Sequence, residues 1–310
     1  MATSETSHKK KSTKAKKSAK PKQTKGSPKA AAPQAPFSDA LRVRDGFVLA
    51  DVDPRGTPAF DGGKSEGKDR LAAADDELDS LQERLYAHGV SGGNTRVLLV
   101  IQGLDTAGKG GIMRHVVGLV DPQGVELTAF KAPTKEEQKH SFLWRIRQAL
   151  PDPGMIGVFD RSHYEDVLIV RVHDLVPKAQ WSRRYRTINS FESSLVRDGT
   201  TLIKVMMHIS ADEQKARLAE RLERPDKHWK YNPGDVTERG HWPAYQEAYQ
   251  EALVRCSPEA APWYVVPADR KWYARLAVQQ LLLEHLRTLD LAWPQADFDV
   301  VAESKRLAAS

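Results

Sequence analysis

Cysteine is almost missing from this chain. Of its 310 residues only Cys256 carries a thiol, which excludes a disulfide framework and a Cys-rich metal site and makes a reducing cytosol the default. Long apolar runs are missing too, and none approaches the roughly 18 residues that span a bilayer. The basic N-terminus is not followed by the apolar stretch of a signal peptide. The expectation is a soluble, cytoplasmic protein without a membrane segment. Residues 1–36 lack Leu, Ile, Val and every aromatic, so they cannot bury enough surface to offset their ordering entropy. Disorder is expected there.

Charge is unevenly spread. The whole chain has a formal net charge of +6, yet residues 1–30 hold ten lysines against the single acid Glu5. Subtracting that +9 leaves −3 for residues 31–310. The tail reads either as a solubilising segment or as an arm that attracts polyanions such as RNA. A nucleic-acid-binding protein is therefore one alternative, and it rests on the tail alone.

Beyond the tail, residues 37–67 are irregular and glycine-containing, which predicts a strap laid over the body. Leu71, Ala74, Leu78, Leu81 and Leu85 recur at helical spacing, with Gly89 as a stop. Arg96–Gln102, Val125–Phe130, Met155–Asp160, Thr201–His208 and Trp263–Val266 read as five strands. Trp181, Tyr185, Ile188, Phe191 and Leu195 make a helical stripe closed by Gly199. Thr134 with Glu137, and Ser210 with Glu213, read as capping boxes. Strands that are apolar nearly throughout, alternating with helices, predict an α/β fold: a three-layer α/β/α sandwich around a parallel five-stranded sheet. Its site belongs at the carboxyl ends of the strands. The organisation expected is a tail (1–36), a strap and helix packed on the core (37–95), a core (96–290) with a lid at about 214–240, and an extension (291–310).

Chemistry concentrates in three places. After the first strand stands Gly103-Leu104-Asp105-Thr106-Ala107-Gly108-Lys109-Gly110-Gly111, a G-x-x-x-x-G-K phosphate-binding loop between strand and helix. Its glycines let backbone N–H groups wrap anionic oxygens, and Lys109 adds a full charge. Gly110 stands where ATPases place a metal-binding hydroxyl. An acid inside an anion-binding loop is costly unless a cation bridges it, so Asp105 argues for a metal. The third strand ends in Asp160-Arg161, where the carboxylate suits Mg²⁺ and the guanidinium a phosphate. Finally, Arg217, Arg221 and Arg224 recur at helical spacing before Pro225, Lys227 and Lys230, which suits a lid closing over phosphates. Trp229 and Trp242 read as packing residues, and His115, His140, His163 and His208 show no paired metal-ligand spacing.

These motifs, with Lys131–Gln138, Phe159–Val172 and Glu223–Asp235, resemble the polyphosphate kinase 2 family from about residue 37 to residue 306. The resemblance implies a P-loop kinase core of the thymidylate-kinase type, a helical lid, and a homo-oligomer (dimer or tetramer). It also implies Mg²⁺-dependent (or Mn²⁺-dependent) transfer of phosphoryl groups between inorganic polyphosphate and a nucleotide. On it, Asp105 and Asp160 fall on the metal- and phosphate-organising aspartates and Lys109 and Arg161 on the transfer-site cations. Arg217, Arg221, Lys227 and Lys230 then fall on the basic lid. Ser162-His163-Tyr164-Glu165-Asp166 resembles the version in the subgroup acting on both AMP and ADP, while Ile112 replaces a Thr found in many members. The alternative from the residues alone is an ATP-dependent kinase of a nucleotide or small metabolite.

Overall fold

Apolar, largely β-branched runs build the centre of the molecule. In the computed structural model, which describes residues 35–310, the elements follow one another as α1 Phe37–Ala40, α2 Lys64–Ala73, α3 Asp75–Val90, β1 Arg96–Gln102, α4 Lys109–His115 and β2 Val125–Ala129. Next come α5 Trp144–Gln148, β3 Ile156–Asp160, α6 Ile169–Val172, α7 Lys178–Arg197, β4 Thr200–His208 and α8 Ala211–Glu223. The chain continues through α9 Gly234–Arg239, α10 Trp242–Arg255, β5 Trp263–Pro267, α11 Lys271–Thr288 and α12 Val300–Ala308. The tail, apart from Ala35 and Pro36, lies outside the described residues.

All five strands pair in parallel, in the order β2-β3-β1-β4-β5. Alternation along β1 separates two cores. Val97, Leu99 and Ile101 pack with Leu78, Ile112 and Leu281 of α3, α4 and α11, whereas Leu98 and Val100 pack with Ile188 and Ala248 of α7 and α10. Helices therefore cover both faces, and every strand side chain of β1 after Arg96 is buried. The sheet is a three-layer sandwich, as the apolar runs predict. β1 has β3 on one side and β4 on the other, so the loop leaving it opens into the crevice where the strand order reverses. Among the described residues no helix is long and apolar enough to cross a membrane.

The segment before α2 reaches the edge of the sheet. The Val43 amide donates to Trp263 O at 2.8 Å and the Val265 amide to Leu41 O at 2.9 Å, adding an antiparallel bridge to β5. The stripe from Leu71 to Leu85 is not one helix: the chain breaks at Ala74 (φ −100°, ψ −2°) between α2 and α3. Gly89 is not a stop either, because α3 runs to Val90. A Cβ on Gly89 would stand 2.5 Å from Pro153 O, so glycine is there for close approach of two backbones. The Thr134–Glu137 box forms, with both hydrogen bonds, but caps only a 3-10 turn at Glu137–Lys139.

Candidate active site

The loop after β1 is shaped by its glycines. Gly108 takes φ +114° as it opens α4, a conformation that side-chain-bearing residues resist, and a Cβ on Gly103 would meet the Met207 backbone oxygen at 2.9 Å. Lys109 is the first residue of α4, and its Nζ donates to Gly103 O at 2.8 Å and Leu104 O at 3.4 Å. Burial, reinforced by Arg161, pulls the Lys109 pKa down, against the pull of Asp105, Asp160 and Glu165. Four charged groups thus converge on one ammonium.

β3 delivers Asp160 and Arg161 beside this loop. Arg161 adopts a left-handed backbone (φ +65°), and its Nη2 donates to Asp105 Oδ1 at 2.7 Å. Burial opposes its charge, but Glu165 and Asp105 more than restore it, so its pKa ends above the ordinary value. Asp160 Oδ1 is buried without a hydrogen-bond partner. An orphaned carboxylate oxygen beside a second carboxylate suits a hard divalent cation, which is commonly held by one or two carboxylates together with substrate phosphates. Among the described residues no cluster of three or more His, Cys, Asp or Glu side chains that could hold a metal occurs.

Two clefts meet at the Asp105–Arg161 pair. One, of about 640 Å³, is lined by Gly108, Gly110 and Gly111 with nine cations: Lys109, Arg114, Lys131, Arg161, Arg221, Lys227, Lys230, Lys271 and Arg275. Against these stand only Asp105 and Asp160. Such an excess selects a polyanion. The other cleft shares only Asp105 and Arg161 with it and is lined by Gly103, Leu168, Ile169, Trp242, Tyr245 and Tyr249 with Glu165, Asp235 and Glu238. Aromatic faces and hydrogen-bond acceptors suit a planar, polar-edged ligand.

The basic residues of α8 and the following turn divide. Arg221, Lys227 and Lys230 line the cationic cleft, and Arg221 also binds Asp235 at 3.2 Å. Arg217 departs from its expected place on a lid surface. It is buried, and its guanidinium donates to Thr106 O, Ala107 O, Ala268 O, Asp269 O and Glu213, bracing the phosphate-binding loop against the end of β5. Arg224 lies away from the cleft, paired with Asp226 and Glu220. Trp229 is not a packing residue: it is 78% exposed. Trp242 is partly buried against the core, and His163 is buried on Glu192.

Several groups escaped the sequence analysis. Gln214 Nε2 holds Asp105 O at 3.1 Å, and Arg239 in turn holds Gln214. Glu165, its carboxyl pushed up by burial, accepts from Gln102 beside Arg161. Arg114, Lys131, Lys271 and Arg275 come from α4, α11 and the loop after β2, so no local spacing marks them.

Residues 62–292 match the family model for polyphosphate kinase 2. An AMP/ADP-polyphosphate phosphotransferase of Meiothermus ruber is 45% identical over 251 residues, covering 81% of this chain and 92% of that protein. An ADP-polyphosphate phosphotransferase of Rhodopseudomonas palustris is 42% identical over 71% of this chain and 79% of its own. The crystal structure of polyphosphate kinase 2 from Arthrobacter aurescens superposes with a TM-score of 0.88 at 56% identity, covering 91% of this chain and 99% of that one. A phosphate-binding loop, an Asp-Arg strand end and a cation-lined cleft stand together in a chain matched along most of its length, and the chain belongs to the polyphosphate kinase 2 family.

Proposed function

We propose that this protein transfers the terminal phosphoryl group of inorganic polyphosphate to AMP or ADP. The observation that carries the reading is the meeting of two unlike clefts at Asp105 and Arg161. The cationic cleft suits the polyphosphate chain, and the aromatic and acidic one suits a nucleoside. The acceptor oxygen belongs to a phosphate that is already ionised, so no general base is required. Transfer breaks the terminal P–O–P bridge, forms a P–O bond to the acceptor and releases polyphosphate one unit shorter. It proceeds in line, without a phosphoenzyme.

In this scheme Lys109 spans donor and transferred phosphates, Arg161 orients the acceptor phosphate, and Arg221, Lys227 and Lys230 cover the chain and exclude water. Positioning and neutralisation of spreading negative charge supply most of the rate in such reactions. Asp105 and Asp160 would hold Mg²⁺, or Mn²⁺, which when bound adds further charge neutralisation at the phosphates. The single thiol, buried at Cys256, suits a cytoplasmic protein. A homo-oligomer is also part of the reading, supported by exposed Trp293, Phe298, Val300, Val301 and Leu307 near the C-terminus.

The test supplies AMP or ADP with Mg²⁺ and polyphosphate but no nucleoside triphosphate. ADP or ATP should form, and the variants Lys109→Ala and Asp160→Asn should each lose at least about a hundredfold in kcat with unchanged circular dichroism. No product from the intact protein would leave the ATP-dependent kinase in its place.

A further inference from the structure

Directly behind the transfer site lies a polar network that the proposed reaction does not use. Glu192 of α7 and Lys204 of β4 are both wholly buried, with Nζ 2.6 Å from Glu192 Oε2. The other carboxylate oxygen, Oε1, accepts from Tyr164 Oη at 2.7 Å and bonds His163 Nε2 at 3.1 Å. Lys204 places its remaining protons on Cys256 O at 2.6 Å and Tyr164 Oη at 3.1 Å. Thus one carboxylate has three donors and one ammonium has three acceptors. Nothing in the pair is left unsatisfied.

Stability does not explain such a pair, because a buried ion pair commonly does no better than apolar residues of equal volume. Its position does. His163 and Tyr164 are the second and third residues after Arg161, in the 3-10 turn His163–Val167. Arg161 itself stands in the left-handed region at φ +65°, where a residue with a Cβ stays only if its surroundings hold it there. On its N-terminal side the sheet supplies one hold, Arg161 N to Ile101 O at 3.0 Å. On its C-terminal side Ser162 Oγ caps the Tyr164 amide at 3.2 Å, and the clamp fixes the side chains of His163 and Tyr164.

We infer that His163, Tyr164, Glu192 and Lys204 are positioning residues for phosphoryl transfer, holding the strained Arg161 turn so that its guanidinium meets the acceptor phosphate. The inference rests on the role given to Arg161 above. His163→Phe probes it: an aromatic ring stays against Tyr164 and Phe191, whose centroids lie 4.6 and 5.6 Å from that of His163, and the contact of Lys204 Nζ with Glu192 Oε2 remains while Oε1 loses its His163 partner. This variant is expected to unfold cooperatively near the wild-type temperature while kcat falls about tenfold or more and KM for polyphosphate stays within about twofold. Tyr164→Phe, which removes the other donor to Oε1, should behave alike if the first variant does not fold.

In an Arg161→Lys background the extra loss from His163→Phe should vanish, since the two act through one group. Unchanged kcat in a folded His163→Phe protein, or the same loss in both backgrounds, would overturn the inference. Wild-type kcat from Arg161→Lys alone would instead remove the role of Arg161 on which it depends.

Discussion

Lys109 and Arg217 are both cations beside the phosphate-binding loop, yet they do opposite things. Lys109 sits among Asp105, Asp160 and Arg161 at the head of the cationic cleft. Arg217 spends its guanidinium on the loop's own carbonyls and on those after β5. Replacing it by Lys keeps a charge but cannot satisfy four carbonyls in a fork. Arg217→Lys is expected to lose about 2–4 kcal/mol of stability in denaturant titrations, together with activity, as the loop loosens. The glycines of the loop also differ. A Cβ on Gly110 would meet nothing within 4 Å, whereas Gly108 has φ +114°. Gly110→Ser should therefore fold like the parent, while Gly108→Ala should cost about 1 kcal/mol or more. The missing hydroxyl after Lys109 is not imposed by space.

At the scale of elements, strands were the easiest to read. A parallel sheet covered on both faces leaves β1 apolar from Val97 to Ile101 and β4 apolar from Leu202 to Met207 except at Lys204, and such runs are distinctive. Helix ends were harder. Leu71 to Leu85 keep one periodicity across the break at Ala74, because two helices packed on the same core share an apolar stripe. Ser210 caps Glu213 as expected, but Glu213 turns to Arg217 and the Ser210 amide goes to Asp269. The tie between α7 and β4 was invisible, since Glu192 and Lys204 look like ordinary surface residues in sequence. Burial alone would raise the Glu192 carboxyl, but Lys204 and His163 hold it below the ordinary 4.5. A lowered carboxyl contributes stability that is present above 4.5 and lost as pH falls through the folded-state value. The unfolding temperature should accordingly drop as pH falls below about 4.5. The double variant Glu192→Leu with Lys204→Met, lacking both charges, should lose that share of acid sensitivity.

For the whole molecule, net charge misleads. Residues 31–310 carry −3, yet one cleft gathers nine cations against two acids. Local field rather than the sum attracts a polyanion. KM for polyphosphate should rise with added salt, and removal of residues 1–34 should leave kcat unchanged; loss of transfer with the tail would give that segment a catalytic part. The sequence by itself determined the sandwich, the phosphate-binding loop and the strand-end Asp-Arg pair, because these depend on local spacing and on runs of one residue type. Only the tertiary structure decided that Arg217 braces the loop, that Trp229 faces solvent, and that Arg114, Lys131, Lys271 and Arg275 join the cleft. It alone brought Glu192 and Lys204 behind Arg161. Those outcomes depend on which distant residues compete for each side chain, and such competition exists only once the layers have packed.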